Sequence, residues 1–316
     1  MKRKDFFLAL MVVIIWGANF TVVKLGLGGI PSMLLVALRY LLTFFPAIFI
    51  VKKPNTQWKY ILLYGFTVGV GQFSALFYAL EIGMPAGLSS ILLQLQAFIS
   101  PILGYLLLKE GLKTKQVVGF IIAATGLFII GLAADGTEIH SIPIVAILLT
   151  VLAAFFWASS NIVAKIASQK SAAKGEKLDM LGMVVWSSLV PPIPMLGLAL
   201  LFNPPQVLIQ SITSINAISI FAVAYLAYGS TLFGYGIWSN LVTSYPLSKV
   251  APLSLLVPVT GLLTARLVLA EQLSGMQWLG VSIILLGLVV TNVDMRQIVE
   301  GLKEKKSEKK EHAKDH

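Results

Sequence analysis

The sequence predicts an all-α integral membrane protein, with ten transmembrane helices forming two inverted five-helix repeats. Three observations predict it. The 316 residues are 57% hydrophobic and 12% charged, against about 25% charged in soluble domains. Ten apolar stretches are each long enough for the roughly 20 residues that a hydrocarbon crossing needs. The chain is also written twice. Ala9–Lys24 (ALMVVIIWGANFTVVK) returns as Thr150–Lys165 (TVLAAFFWASSNIVAK), so Trp16 and Lys24 recur as Trp157 and Lys165. Pro85, Glu110, Gln116, Gly119 and Gly126 recur as Pro246, Glu271, Gln277, Gly280 and Gly287, all at an offset of 161. The first pair of segments has an offset of 141, so the second half carries an insertion, most simply in its loops.

The candidate crossings are 6–26, 31–51, 59–80, 85–108, 115–133, 143–165, 180–202, 217–242, 246–270 and 276–294. The first follows Lys2-Arg3-Lys4, like a signal peptide, but its apolar run outlasts an h-region, contains Trp16 and Asn19 and lacks an A-x-A site. It reads as a retained span. The second holds Arg39 near its middle, and the third and eighth are the softest, being rich in glycine and aromatics. The fourth carries Pro85, Gln94, Gln96, Ser100 and Pro101. The fifth and tenth carry the glycine pairs Gly119/Gly126 and Gly280/Gly287, and with Gly65 and Gly69 these suit close helix packing or a dimer. The sixth repeats the first. The ninth holds Pro246, Pro252 and Pro258 at six-residue intervals, each able to bend a helix. No strand alternation argues for a barrel.

Loop charge orients the chain. With the N-terminus inside, inner connections carry Lys52, Lys53, Lys59, Lys109, Lys113, Lys115, Lys170, Lys174 and Lys177, and outer ones carry Glu81, Asp135, Glu138, His140 and Glu271. Five spans per half is odd, so the second copy enters from the other side. Lys113 and Lys115 beside Glu110 become Ser274 and Met276 beside Glu271, as inversion requires. The expected units are residues 1–135 and 136–295, followed by a charged cytoplasmic tail at 296–316. Such a symmetry lets one packing open inward and its counterpart outward. The net charge of +10 is spread over termini and alternate loops, so no nucleic-acid partner is expected. With no cysteine, thiolate metal sites and disulfides are excluded. No cofactor is expected.

The stretches WGANFTVVKLGL (16–27), GMPAGLSSILLQLQAF (83–98), YGIW (235–238) and VAPLSLLVPVTGL (250–262) carry a resemblance to the EamA family of the drug/metabolite transporter superfamily. Within it they resemble the cysteine and O-acetylserine exporters. The resemblance covers essentially everything but the tail. It implies outward movement of small amino-acid metabolites across the bacterial inner membrane, with both termini cytoplasmic.

Polar groups at membrane depth are costly, so the few present are candidate substrate contacts. Trp16 and Asn19 share a face of the first span, and Trp157 and Asn161 the matching face of the sixth. They could wall a path or join helices. Lys24 and Lys165, at the ends of those faces, could belong to the path or snorkel to the interface. Gln94 and Gln96 point to different faces, and their amides suit a zwitterion. Their repeat positions are Leu255 and Val257, so the two halves are chemically lopsided. Tyr78, Tyr235 and Trp238 form an aromatic set. Arg39 could attract a carboxylate, hold helix carbonyls or reach Glu81. The expected partners are a small-molecule substrate and membrane lipid, with a homodimer left open.

Alternatives are a carrier of the same fold for other amino acids, nucleobases or drugs, and a membrane scaffold without transport. An enzyme is not expected: HExxH and GxSxG are absent, and S-x-x-K at Ser171–Lys174 and Ser307–Lys310 falls in solvated segments. No P-loop points to ATP. No Asp or Glu falls mid-span, which favours facilitated efflux or exchange, or a proton path without a buried carboxylate.

Overall fold

The computed structural model describes residues 1–132, 142–245, 250 and 253–292. Among these, all regular structure is helical. Helix α1 is Arg3–Leu27 and α2 is Ser32–Ala47. Helix α3, Trp58–Glu81, contains a π-helical segment at Gly65–Gln72. Helix α4, Ala86–Leu108, is interrupted by a 3-10 turn at Leu93–Leu95. Then come α5 (Thr114–Leu132), α6 (Ile144–Ala172), α7 (Met180–Ser187), α8 (Pro192–Phe202) and the short α9 (Pro205–Thr213). Helix α10 starts at Ala217–Ala224, passes through a second π segment at Tyr225–Phe233 and ends as Gly234–Ser244. The last two are α11 (Val257–Leu269) and α12 (Gly275–Asn292).

Six of these helices are long and apolar enough to cross a membrane, and α7 with α8, bent by 42° where Pro191 and Pro192 follow each other, makes a seventh. Three shorter apolar helices are Ser32–Ala47, Val257–Leu269 and Gly275–Thr291. Large apolar side chains such as Phe49, Ile50, Ile193 and Leu267 are exposed. Water does not tolerate so much exposed hydrocarbon, whereas helices with internally satisfied backbones can present it to lipid. The protein is a multi-pass membrane protein.

The halves are interlocked. A Cβ on Gly17 of α1 would lie 1.8 Å from Thr260 Oγ1 of α11. Thr260 donates to Val13 O at 3.1 Å, and Thr21 donates to Thr264 at 3.1 Å. Helix α2 packs on α8, and α3 on α6. Helices α5 and α12 share the most extensive contact. A Cβ on Gly126 would stand 2.6 Å from Gly280 O, and one on Gly119 2.8 Å from Gly287 O. These glycines therefore face each other within one chain.

The two soft spans prove to be the two π-containing helices. Shifted by 161, residues 65–72 fall on 226–233, inside the second π segment. The wider π turn and its glycines admit neighbours closely. A Cβ on Gly69 would meet Pro191 at 2.1 Å, and one on Gly71 would meet the Phe156 ring at 2.4 Å. Such segments concentrate at functional sites. Asp135, Glu138, His140, Pro246, Pro252 and the 296–316 tail lie outside the described residues.

Candidate functional site

One polar mouth lies past the 3-10 turn of α4. Gln96 and Ser100 stand one helical turn apart on α4, and Asn161 and Lys165 one turn apart on α6, so two i, i+4 pairs face each other. Asn161 Nδ2 donates to Gln96 Oε1 at 2.8 Å and to Ser100 Oγ at 3.3 Å. Lys165 Nζ pairs with Glu110 Oε2 at 2.6 Å, and both side chains are solvent-exposed. Gln96, Ser100, Glu110, Gln116, Asn161 and Lys165 line a pocket of about 340 Å³, within the range of small-molecule sites.

The second mouth, of about 580 Å³, is lined by Lys24, Pro85, Ile142, Glu271, Gln272 and Gln277 among others. Here the charges are engaged differently. Lys24 Nζ donates to Met84 O at 2.7 Å. Glu271 accepts the amides of Ala86 at 2.8 Å and Gly87 at 3.0 Å, the first donors of α4. The second mouth therefore stands at the start of the 23-residue span of α4, and the first runs from the middle of that span to just past its end.

A separate aromatic cluster joins α1 to α10. Trp16 Nε1 donates to Ser230 O in the second π segment at 2.9 Å. Its ring lies 5.4 Å from that of Tyr235 and 5.2 Å from that of Trp238. The predicted trio of Tyr78, Tyr235 and Trp238 is thus split: Tyr78 stacks on Phe202 of α8 at 5.5 Å instead. Arg39 is buried, donates to Thr231 Oγ1 at 3.0 Å through Nη2, and lies 4.2 Å from the Phe73 ring centre. It does not reach Glu81, whose carboxylate accepts from Ser32 N at 3.1 Å and caps α2. Arg39 Nη1 has no partner among the described residues. The gap beside it is about 10 Å³, which leaves room for a single water.

The structure brings Gln96 and Asn161 together at one mouth, and Trp16, Tyr235 and Trp238 together in one aromatic cluster. Gln94 is half-buried and stays out of the Gln96 cluster. Asn19 is buried with Oδ1 unpartnered among the described residues, and Trp157 packs against the main apolar core. Lys24 donates to the Met84 carbonyl, and Lys165 pairs with Glu110. Glu110 and Glu271 were legible as repeats but not as site residues. The recurring lysine and the recurring glutamate were the available signal, since each lysine meets the glutamate region of the other half. Among the described residues no group of three or more His, Asp or Glu could hold a metal.

A helical membrane bundle with two polar mouths has what a transporter needs, and comparison with known proteins gives the family. The model of the EamA-like transporter family matches residues 4–132 and again 144–293, so the chain belongs to that family. It is 44% identical over 291 residues to a probable amino-acid metabolite efflux pump of Salmonella typhimurium, covering 92% of this chain and 95% of that one. A protein of the same description from Escherichia coli is 40% identical over 296 residues, covering 94% and 97%. An uncharacterized transporter of Bacillus subtilis, YvbV, is 25% identical over 305 residues, covering 92% of each. Among solved structures, a crystal structure covering 94% of this chain and 99% of its own matches with a TM-score of 0.61 at 16% identity, a likeness of fold.

Proposed function

We propose that the protein exports small amino-acid metabolites of the cysteine and O-acetylserine class across the bacterial inner membrane by alternating access. The observation that carries this reading is the mouth in which Gln96, Asn161, Lys165 and Glu110 converge. A zwitterion needs a cation for its carboxylate, an anion for its ammonium and neutral amides to fix its orientation. Lys165, Glu110 and the amide pair supply one of each. The efflux-pump descriptions of the two relatives above support the direction and the solute class.

The six long apolar helices, the bent pair and the three shorter ones make ten crossings in this reading. They form two inverted five-helix repeats, 1–135 and 136–295, with the 296–316 tail and the N-terminus cytoplasmic. The position of Lys24 and Lys165 at opposite ends of α4 supports the inversion. The exposed apolar side chains meet lipid. Trp16, Tyr235 and Trp238 line the path between the mouths.

The test is to express the chain in cells lacking their own exporters and to measure cysteine and O-acetylserine in the medium. Raised efflux is expected. Unchanged efflux with verified membrane expression rules out this solute class.

A further inference from the structure

Cations gather at one seam between α3 and α6. Lys59, in the first turn of α3, places its ammonium 5.2 Å from the centre of the Tyr60 ring. Lys170, in the last turn of α6, places its own 5.7 Å from the same ring. Both also act on the Tyr60 hydroxyl. Two like charges thus converge on one buried tyrosine, one from each half of the chain. No carboxylate answers them: among the described residues neither lysine has an ion-pair partner. Glu176, just beyond α6, accepts from Asn55 instead. Ser171 donates to Asn55 O at 2.9 Å, which fixes the end of α6 against the loop before α3. Lys53 of that loop adds a third ammonium, 5.3 Å from the Trp58 ring centre.

The surroundings are those of a membrane surface. Trp58 is half exposed, and its ring centre stands 5.8 Å from that of Trp186, whose indole donates to Val51 O at 3.0 Å. Tryptophans collect at the headgroup level of a bilayer. Leu62, Leu63 and Phe66 follow Lys59 on the same face of α3, each about half exposed. A cationic head with a hydrocarbon strip in line behind it matches the two ends of a phospholipid. We propose that this seam holds an anionic phospholipid, with its phosphate between Lys59 and Lys170 and an acyl chain along Leu62, Leu63 and Phe66. Basic pockets between membrane helices bind anionic headgroups in this way, and the Tyr60 hydroxyl can donate to a phosphate oxygen. A zwitterionic headgroup brings a cation of its own, which the lysines repel. Because each half supplies one lysine, the lipid offsets their repulsion and ties α3 to α6. On the orientation proposed above the site faces the cytoplasmic leaflet. It depends on the chain lying in a membrane, and not on the solute carried.

The test uses the full chain purified in detergent. It is titrated with phosphatidylglycerol and, separately, with phosphatidylcholine of the same acyl chains. Native mass spectrometry counts the bound lipid, and the unfolding midpoint is followed alongside. Phosphatidylglycerol should be retained and should raise the midpoint, and phosphatidylcholine should do neither. A lysine near an anionic surface contributes about fivefold in binding, so Lys59→Gln with Lys170→Gln should weaken phosphatidylglycerol binding on the order of thirtyfold. Lys113→Gln with Lys115→Gln removes the same charge at the start of α5 and should leave binding nearly unchanged. Lys59→Arg with Lys170→Arg keeps the charge at the seam and should retain the lipid. Equal retention of the two lipids by the native chain overturns the proposal, whatever the variants do. Equal losses in the two glutamine variants also overturn it, because the attraction is then one of net charge. A midpoint shift reproduced by inorganic phosphate alone overturns it in favour of a free anion.

Discussion

Asn161 and Gln96 meet amide to amide at 2.8 Å across the two halves of the chain. Asn161 commits its donor side to Gln96 Oε1 and Ser100 Oγ. Gln96 Nε2 and Asn161 Oδ1 are then the amide atoms that these bonds leave uncommitted, one a donor and one an acceptor. Neither residue alone offers that arrangement.

Gln96→Ala should therefore lower efflux by about tenfold, the worth of one well-placed hydrogen bond. Asn161→Ala should cost as much, and the double variant little more than either, because each single change already dismantles the pair. Efflux rates normalised to membrane abundance check this. Additive losses would show that the two amides act independently.

The α5–α12 contact predicts a sharp positional contrast within one helix. A Cβ at Gly126 would press 2.6 Å from a backbone oxygen, which cannot move aside, whereas one at Gly131 would meet nothing within 4 Å. Gly126→Ala should lose about 1–3 kcal/mol by overpacking, and Gly131→Ala should be neutral or slightly stabilising through helix propensity. The unfolding midpoints of the two purified variants decide it.

The repeat made this contact partly readable in advance. The offset of 161 marked Gly119, Gly126, Gly280 and Gly287 as equivalent, and small residues at such spacing announce close packing, but not with whom. The same offset marked Glu110 and Glu271 as a pair without revealing that one holds a lysine and the other a helix start. That difference lies in what faces each glutamate, the Lys165 ammonium at one and the first amides of α4 at the other, and neither neighbour is set by the local sequence. Tyr78 parts from Tyr235 for a related reason. Tyr78 and Tyr235 fall in repeat-related spans, but the contacts of each are set by neighbours from the other half, here Phe202 and Trp16.

Arg39 and Thr231 give an asymmetric prediction. Thr231 Oγ1 accepts from Arg39 and itself donates to Leu226 O at 2.8 Å within the π segment. Arg39→Leu removes a buried charge and leaves Thr231 satisfied, a change that is often neutral or stabilising. Thr231→Val keeps the charge and strips its hydrogen-bond acceptor, which should cost about 1.5–3 kcal/mol. Thermal unfolding in detergent should rank Thr231→Val well below Arg39→Leu. The reverse order would mean that the guanidinium holds the bundle through contacts other than Thr231.

Trp16 ties α1 to the second π segment through a single bond, from its indole nitrogen to Ser230 O at 2.9 Å. Gly234 makes room for it: a Cβ there would lie 2.5 Å from Trp16 Nε1. Trp16→Phe retains an aromatic ring against Tyr235 and Trp238 but removes the donor, at a cost of about 1 kcal/mol. Gly234→Ala forces the indole aside and should break the same bond by a different route. Both variants should reduce efflux several-fold, consistent with one lost hydrogen bond. Because both act on one contact, the double variant should behave like the worse of the two single variants. If the losses add, Gly234 serves the π turn itself and the indole bond is incidental to transport.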